Sequence, residues 1–186
     1  MNAALATMTA VPGLGVVGLA GALGVGMIFT HAGISKLRHR ELMAGIVANY
    51  RLLPEPLVVP VARALPVVEL TLGLALLAGG QRVAVLPAAL LLLLFAAAMA
   101  INVRRGRTHI DCGCGRSQLR QTVSWPLVWR NLVLAALVLP RLLPAPGTSG
   151  LDLATAIVGG ASLFLMILLF NAIGSLAASP LAAKRS

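Results

Sequence analysis

Val83-Ala84-Val85-Leu86-Pro87-Ala88-Ala89-Leu90-Leu91-Leu92-Leu93-Leu94-Phe95-Ala96-Ala97-Ala98-Met99-Ala100-Ile101-Asn102-Val103 carries no charge, and Asn102 is its sole polar side chain. A helix needs roughly 20 such residues to cross about 30 Å of hydrocarbon. The run is continuous rather than alternating, which argues against a β-barrel strand. Comparable runs extend from about Val11 to Ser35, Leu57 to Ala78, Val123 to Leu143 and Leu151 to Leu176. The chain therefore reads as all-α: a polytopic transmembrane helix bundle with a four-helix core and a fifth helix, in one integral membrane domain over residues 1–186. The run from Leu57 is the least regular. It holds Pro60, Arg63, Pro66 and Glu69, which predict a kink or a partly re-entrant course.

Composition agrees. With 59% hydrophobic and 11% charged residues and a mean hydropathy of +0.93, the chain has too little polar surface to coat a soluble globule. Gly18, Ala22 and Gly26, and likewise Ala156 and Gly160, recur every four residues, a spacing that lets helices approach closely in lipid.

The formal net charge is +10, and its placement decides its meaning. Lys36, Arg38, Arg40 and Arg51 lie between the first two runs. Arg104, Arg105, Arg107, Arg116 and Arg120 lie between the third and fourth, and Lys184 and Arg185 close the chain. The N-terminus, the Gln81-Arg82 turn and the Pro144 to Gly150 loop hold almost none. This is the positive-inside pattern. It predicts an outside N-terminus, an inside C-terminus, and a cytoplasmic loop between the third and fourth runs. The basic excess is a topology signal and a contact with the lipid bilayer, with no nucleic acid as partner. No Lys or Arg precedes Lys36, so the first run lacks the basic n-region of a signal peptide and is expected to be retained. Residues 41–53 place Leu42, Ile46 and Leu53 near one face, interrupted by Glu41, Asn49 and Arg51. They predict a short interfacial helix closed by Leu53-Pro54-Glu55-Pro56.

Asp111-Cys112-Gly113-Cys114-Gly115 holds both cysteines of the chain, in the polar loop between the third and fourth runs. A disulfide across one residue closes a strained ring that exchanges easily, and Gly113 and Gly115 give the backbone the freedom it needs. Arg107 and Arg116 favour a thiolate while Asp111 opposes it, and the loop as a whole is positive. Cys112 and Cys114 are therefore the candidate catalytic residues. A rival reading makes His109, Cys112 and Cys114 ligands for a soft cation.

Within the apolar runs, Glu69 stands out. A charge at that depth costs about 2.5 to 3.5 kcal/mol on insertion scales and usually faces the bundle interior, with Lys36 or Arg63 as expected partner. His31 is a proton relay or a packing residue. Arg130 and Asn131, with Asn102, fall near the helix ends that flank the cysteine loop.

These residues resemble the methylamine utilisation protein MauE family, part of a wider MauE/DoxX group of redox-associated membrane proteins. The resemblance runs through His31-Ala32-Gly33-Ile34-Ser35-Lys36-Leu37, Tyr50-Arg51-Leu52-Leu53-Pro54, Leu65-Pro66-Val67-Val68-Glu69-Leu70, Asn102-Val103-Arg104-Arg105-Gly106-Arg107, Asp111-Cys112-Gly113-Cys114 and Arg130-Asn131. The family follows its cysteine pair with an aromatic residue and a glycine, where this chain has Gly115-Arg116. The resemblance implies a multi-pass protein of the bacterial inner (cytoplasmic) membrane that assists disulfide formation in a periplasmic client enzyme, beside a thioredoxin-like protein. Cys112 and Cys114 would then exchange electrons with the partner, with a quinone as a candidate acceptor. The alternative is a non-enzymatic scaffold or metal-handling subunit.

Overall fold

A computed structural model describes residues 13–78, 82–110, 122–143 and 149–177. Among the described residues the elements are helices α1 (Leu14–Arg38), α2 (Arg40–Tyr50), α3 (Glu55–Leu77), α4 (Arg82–Arg104), α5 (Trp125–Val138) and α6 (Gly150–Ala177), with a 3₁₀ turn (Leu139–Leu142) continuing α5. The protein is an all-α helix bundle. Four helices are long and apolar enough to cross a bilayer: Leu14–Arg38, Glu55–Leu77, Arg82–Arg104 and Gly150–Ser175. It is thus a multi-pass membrane protein.

The helix limits have local causes. The last turn of α1 carries Lys36 and Arg38, cations that suit the negative end of a helix dipole. Helix α2 stops three residues short of the expected limit, because Arg51 turns left-handed at φ 49°. Pro54 then disfavours helix at Leu53 and itself precedes the first residue of α3. Ser149 and Asp152 form a reciprocal cap on α6. The Ser149 amide and hydroxyl both donate to the Asp152 carboxylate, at 2.9 and 2.8 Å, and the Asp152 amide donates to Ser149 Oγ at 3.2 Å. Despite Pro60 and Pro66, α3 is one unbroken helix of 23 residues.

Helix α1 is the hub: it packs extensively against α3 and α6 and also meets α5 and its 3₁₀ turn, while α4 pairs with α5. Its glycines make this possible. A Cβ on Gly33 would lie 2.9 Å from Leu70 N and Pro66 O, and one on Gly73 of α3 would lie 2.6 Å from Thr30 N. Gly160 of α6 comes as close to Leu23 and Gly24, and Gly18 and Gly21 face the backbone of Arg141 and Leu137. The four-residue series Gly18, Ala22, Gly26 therefore serves no single partner: Gly18 faces the 3₁₀ turn, whereas Gly26 faces α3. The pairings also fix direction. Residue 33 meets 66–70 and residue 26 meets 73–77, so α1 and α3 are antiparallel; residue 20 meets 159–160 and residue 24 meets 160–163, so α1 and α6 are parallel.

Candidate functional site

At one end of the bundle gather the last turns of α1, α4 and α6 and the first turns of α5. Lys36 and Glu69 are 8% and 1% exposed, and the Lys36 ammonium donates to Glu69 Oε1 in a buried ion pair between α1 and α3. Arg63, the other expected partner, is exposed. The close approach at Gly33 explains the pairing, because it brings the last two turns of α1 against the turn of α3 that bears Glu69. The ammonium also lies 5.1 Å from the centre of the Phe95 ring of α4, a favourable contact for a cation.

The pair borders a cavity of about 40 Å³, room for on the order of three waters where polar groups line it. Polar groups do: His31, Lys36, Glu69, Arg130, Asn131 and Asn171 all reach it. Five of these six were singled out from sequence as supporting residues, and the fold brings them together from α1, α3 and α5. The His31 ring meets Phe164 of α6 edge-on at 5.9 Å. Arg130 is half-buried and its Nη1 donates to Asn171 Oδ1 of α6, while its buried Nε has no hydrogen-bond partner among the described residues. Asn131, 3% exposed, donates to the Leu127 carbonyl at 2.8 Å. Asn171 was missed, although a lone amide in the last apolar run is the same kind of signal as Glu69.

Arg107 does something else. Its guanidinium donates to the Asn49 carbonyl at 2.8 Å, the Tyr50 carbonyl at 3.5 Å and Asn102 Oδ1 at 3.3 Å. It thus caps the carbonyl end of α2 and ties that helix to the end of α4. Asn102 is fully buried and also donates to the Ala98 carbonyl at 3.0 Å. Beyond Arg107, Ile110 packs with Met99, Val123, Leu127 and Val128, and Val123 N donates to the Ile110 carbonyl at 3.0 Å. Arg104 lies over the Trp125 ring at 6.0 Å. The chain therefore leaves α4 and enters α5 at one place. Asp111, Cys112, Cys114 and Arg116 lie outside the described residues. His109 is exposed, and no cluster of metal-ligating side chains occurs among the described residues.

A larger groove of about 470 Å³ lies between α2, α3 and α4, lined mostly by aliphatic side chains together with Tyr50, Phe95 and Lys36. Lys36 and Phe95 line both spaces.

Residues 14–144 match the family model described as methylamine utilisation protein MauE. The chain belongs to the MauE family. It is 47% identical over 165 residues to methylamine utilization protein MauE of Paracoccus denitrificans, covering 85% of this chain and 87% of that protein. The MauE of Paracoccus versutus is 44% identical, covering 81% and 83%; that of Methylorubrum extorquens is 43% identical, covering 76% and 78%. No solved structure matches this MauE-family chain.

Proposed function

We propose that this protein serves methylamine utilisation as a membrane thiol-disulfide redox protein that assists disulfide formation in a periplasmic client enzyme. Family membership and the naming of its relatives as methylamine utilization proteins support the methylamine context. The redox reading rests on Cys112 and Cys114 together with one structural observation: the buried polar centre at the end of the bundle where the cysteine loop is rooted. A dithiol that becomes a disulfide releases two protons with its two electrons, so a relay of this kind needs proton-handling groups nearby. Lys36, Glu69 and His31, around a cavity with room for a few waters, are the titratable groups that support this reading. In this reading the protein sits in the inner membrane with five crossings and the cysteine loop on the cytoplasmic side. Arg107 holds the approach to that loop against α2.

The test is complementation of a Paracoccus denitrificans strain lacking its own MauE, with growth on methylamine as readout and alkylation trapping of thiols in parallel. The wild-type chain is expected to restore growth and to show a partly oxidised Cys112–Cys114 pair, whereas Cys112→Ser and Cys114→Ser fail. Full growth with both serine variants, and thiols that stay reduced throughout, would sink the relay.

A further inference from the structure

We infer that the groove between α2, α3 and α4 holds one anionic glycerophospholipid, with an acyl chain lying in the groove and the phosphate at Arg51 and Arg105. The inference is independent of the redox reading and starts from a gap in the bundle. Helices α3 and α4 are consecutive in the chain yet touch at few places, whereas α1 packs closely on α3, and α4 on α5. The groove of about 470 Å³ fills that gap, within the range of roughly 300 to 1,000 Å³ typical of small-molecule sites. Along α4 its wall runs from Leu91 to Ile101, ten residues or about 15 Å. That length matches one acyl chain, which spans half of a hydrocarbon layer of about 30 Å. Leu94 and Ile101 are 64% and 40% exposed on a helix apolar enough to cross a bilayer, so the groove opens sideways toward lipid.

The two ends of the groove differ in charge. At one end Lys36 is the only charged side chain of the lining, and its ammonium is already engaged by Glu69 and the Phe95 ring. At the other end the lining closes with Tyr50, Leu52, Leu53 and Ile101, and arginines follow. Leu94, Ala98, Ile101 and Arg105 succeed one another at four, three and four residues, the spacing of one helical face. The Arg105 amide donates to the Ile101 carbonyl at 3.0 Å. The helical register thus carries past the end of α4 and sets Arg105 on the face that lines the groove. Arg51 stands between Tyr50 and Leu52, and Arg107 adds a cation held on the carbonyls of Asn49 and Tyr50. Glu55, in the first turn of α3, offsets only one of these charges. Arg51 and Arg105 are exposed and make no ion pair among the described residues. A ligand that fills the groove and answers this charge is a hydrocarbon chain with an anion at one end. Phosphate suits the guanidinium fork, which gives it paired hydrogen bonds, and clustered basic residues attract anionic lipid. The lipid closes the bundle where α3 and α4 do not reach each other.

The experiment is native mass spectrometry of the full chain released from nanodiscs of equal parts phosphatidylethanolamine and phosphatidylglycerol, with each retained lipid identified by its mass. One phosphatidylglycerol per chain is expected to survive release, in preference to phosphatidylethanolamine. Arg51→Gln combined with Arg105→Gln is expected to lower retention on the order of twentyfold, about fivefold for each basic residue. Both positions are exposed, so this variant keeps the fold. Arg82→Gln, at the opposite end of α4, leaves retention unchanged. Ala98→Trp, which fills the groove, is expected to abolish it; if that variant does not fold, Val61→Phe narrows the same groove from α3. Equal retention of the two lipids, wild-type retention without Arg51 and Arg105, or an equal loss with Arg82→Gln overturns the proposal. So does wild-type retention in the groove-filling variant, or a quinone or second copy of the chain retained in place of the lipid.

Discussion

Lys36 and Glu69 are each tolerable in an apolar environment because of the other, and mutation can expose that dependence. Removing one partner of a buried pair leaves an uncompensated charge, which costs about 3 to 5 kcal/mol, whereas apolar replacement of both is often neutral. Glu69→Leu alone and Lys36→Met alone are therefore expected to lower stability in detergent by that amount, and the double variant to recover most of it in an unfolding titration. Arg107 makes a different prediction. Its three acceptors sit on α2 and α4, so Arg107→Ala is expected to speed amide exchange by tenfold or more in residues 49–53 and 104–110, with the transmembrane helices unaffected. Glu69 was legible in the sequence because a carboxylate in an apolar run is conspicuous by cost. Its partner was narrowed only to Lys36 or Arg63, since the choice depends on how closely α1 and α3 approach. The cysteine pair is conspicuous in the sequence by its rarity, and it lies outside the described residues. Asn171 and Phe95 were not legible, because an amide and a phenyl ring are cheap enough in such runs to pass as packing.

At the level of elements, glycine placement predicts which contacts resist substitution. A methyl at Gly21 would meet the Leu137 carbonyl of α5, while one at Gly45 of α2 meets nothing within 4 Å. Overpacking costs about 1 to 3 kcal/mol, and relief of glycine entropy in a helix is worth roughly 0.5 to 1 kcal/mol. Gly21→Ala is expected to lower the thermal midpoint and Gly45→Ala to raise it slightly, measured in the same detergent. The apolar runs located four long helices to within a few residues, because continuous hydrophobicity is a strong signal. The fifth run was less faithful. Pro126 sits in the first turn of α5, and Pro140 lies in the 3₁₀ turn at its far end, so only 14 residues are α-helical. With the 3₁₀ turn the element still covers about 29 Å, comparable with the hydrocarbon thickness. The small-residue spacing was read correctly as a packing signal, but periodicity in one helix does not say how many neighbours share it.

For the whole molecule, the alternation of helix directions makes sidedness a sharp question. Five crossings put Arg82 and Ser149 on the same side of the membrane; if α5 does not cross, they fall on opposite sides. With Cys112 and Cys114 replaced by serine, Arg82→Cys and Ser149→Cys are both expected to react with an impermeant maleimide from the periplasm, and Arg51→Cys to be protected until the membrane is opened. Labelling of Arg82→Cys alone would overturn the five-crossing reading. The central position of α1 has a further consequence, in time rather than space. It leaves the ribosome before the other described helices, and each of these finds part of its contact surface on it or on a helix already docked there. Helix α3 follows with Glu69, a residue that enters lipid at a cost of about 2.5 to 3.5 kcal/mol when alone. With Lys36 already waiting at the exit of the translocon, that penalty is met on arrival, so the order of synthesis is also the order in which the bundle can be built.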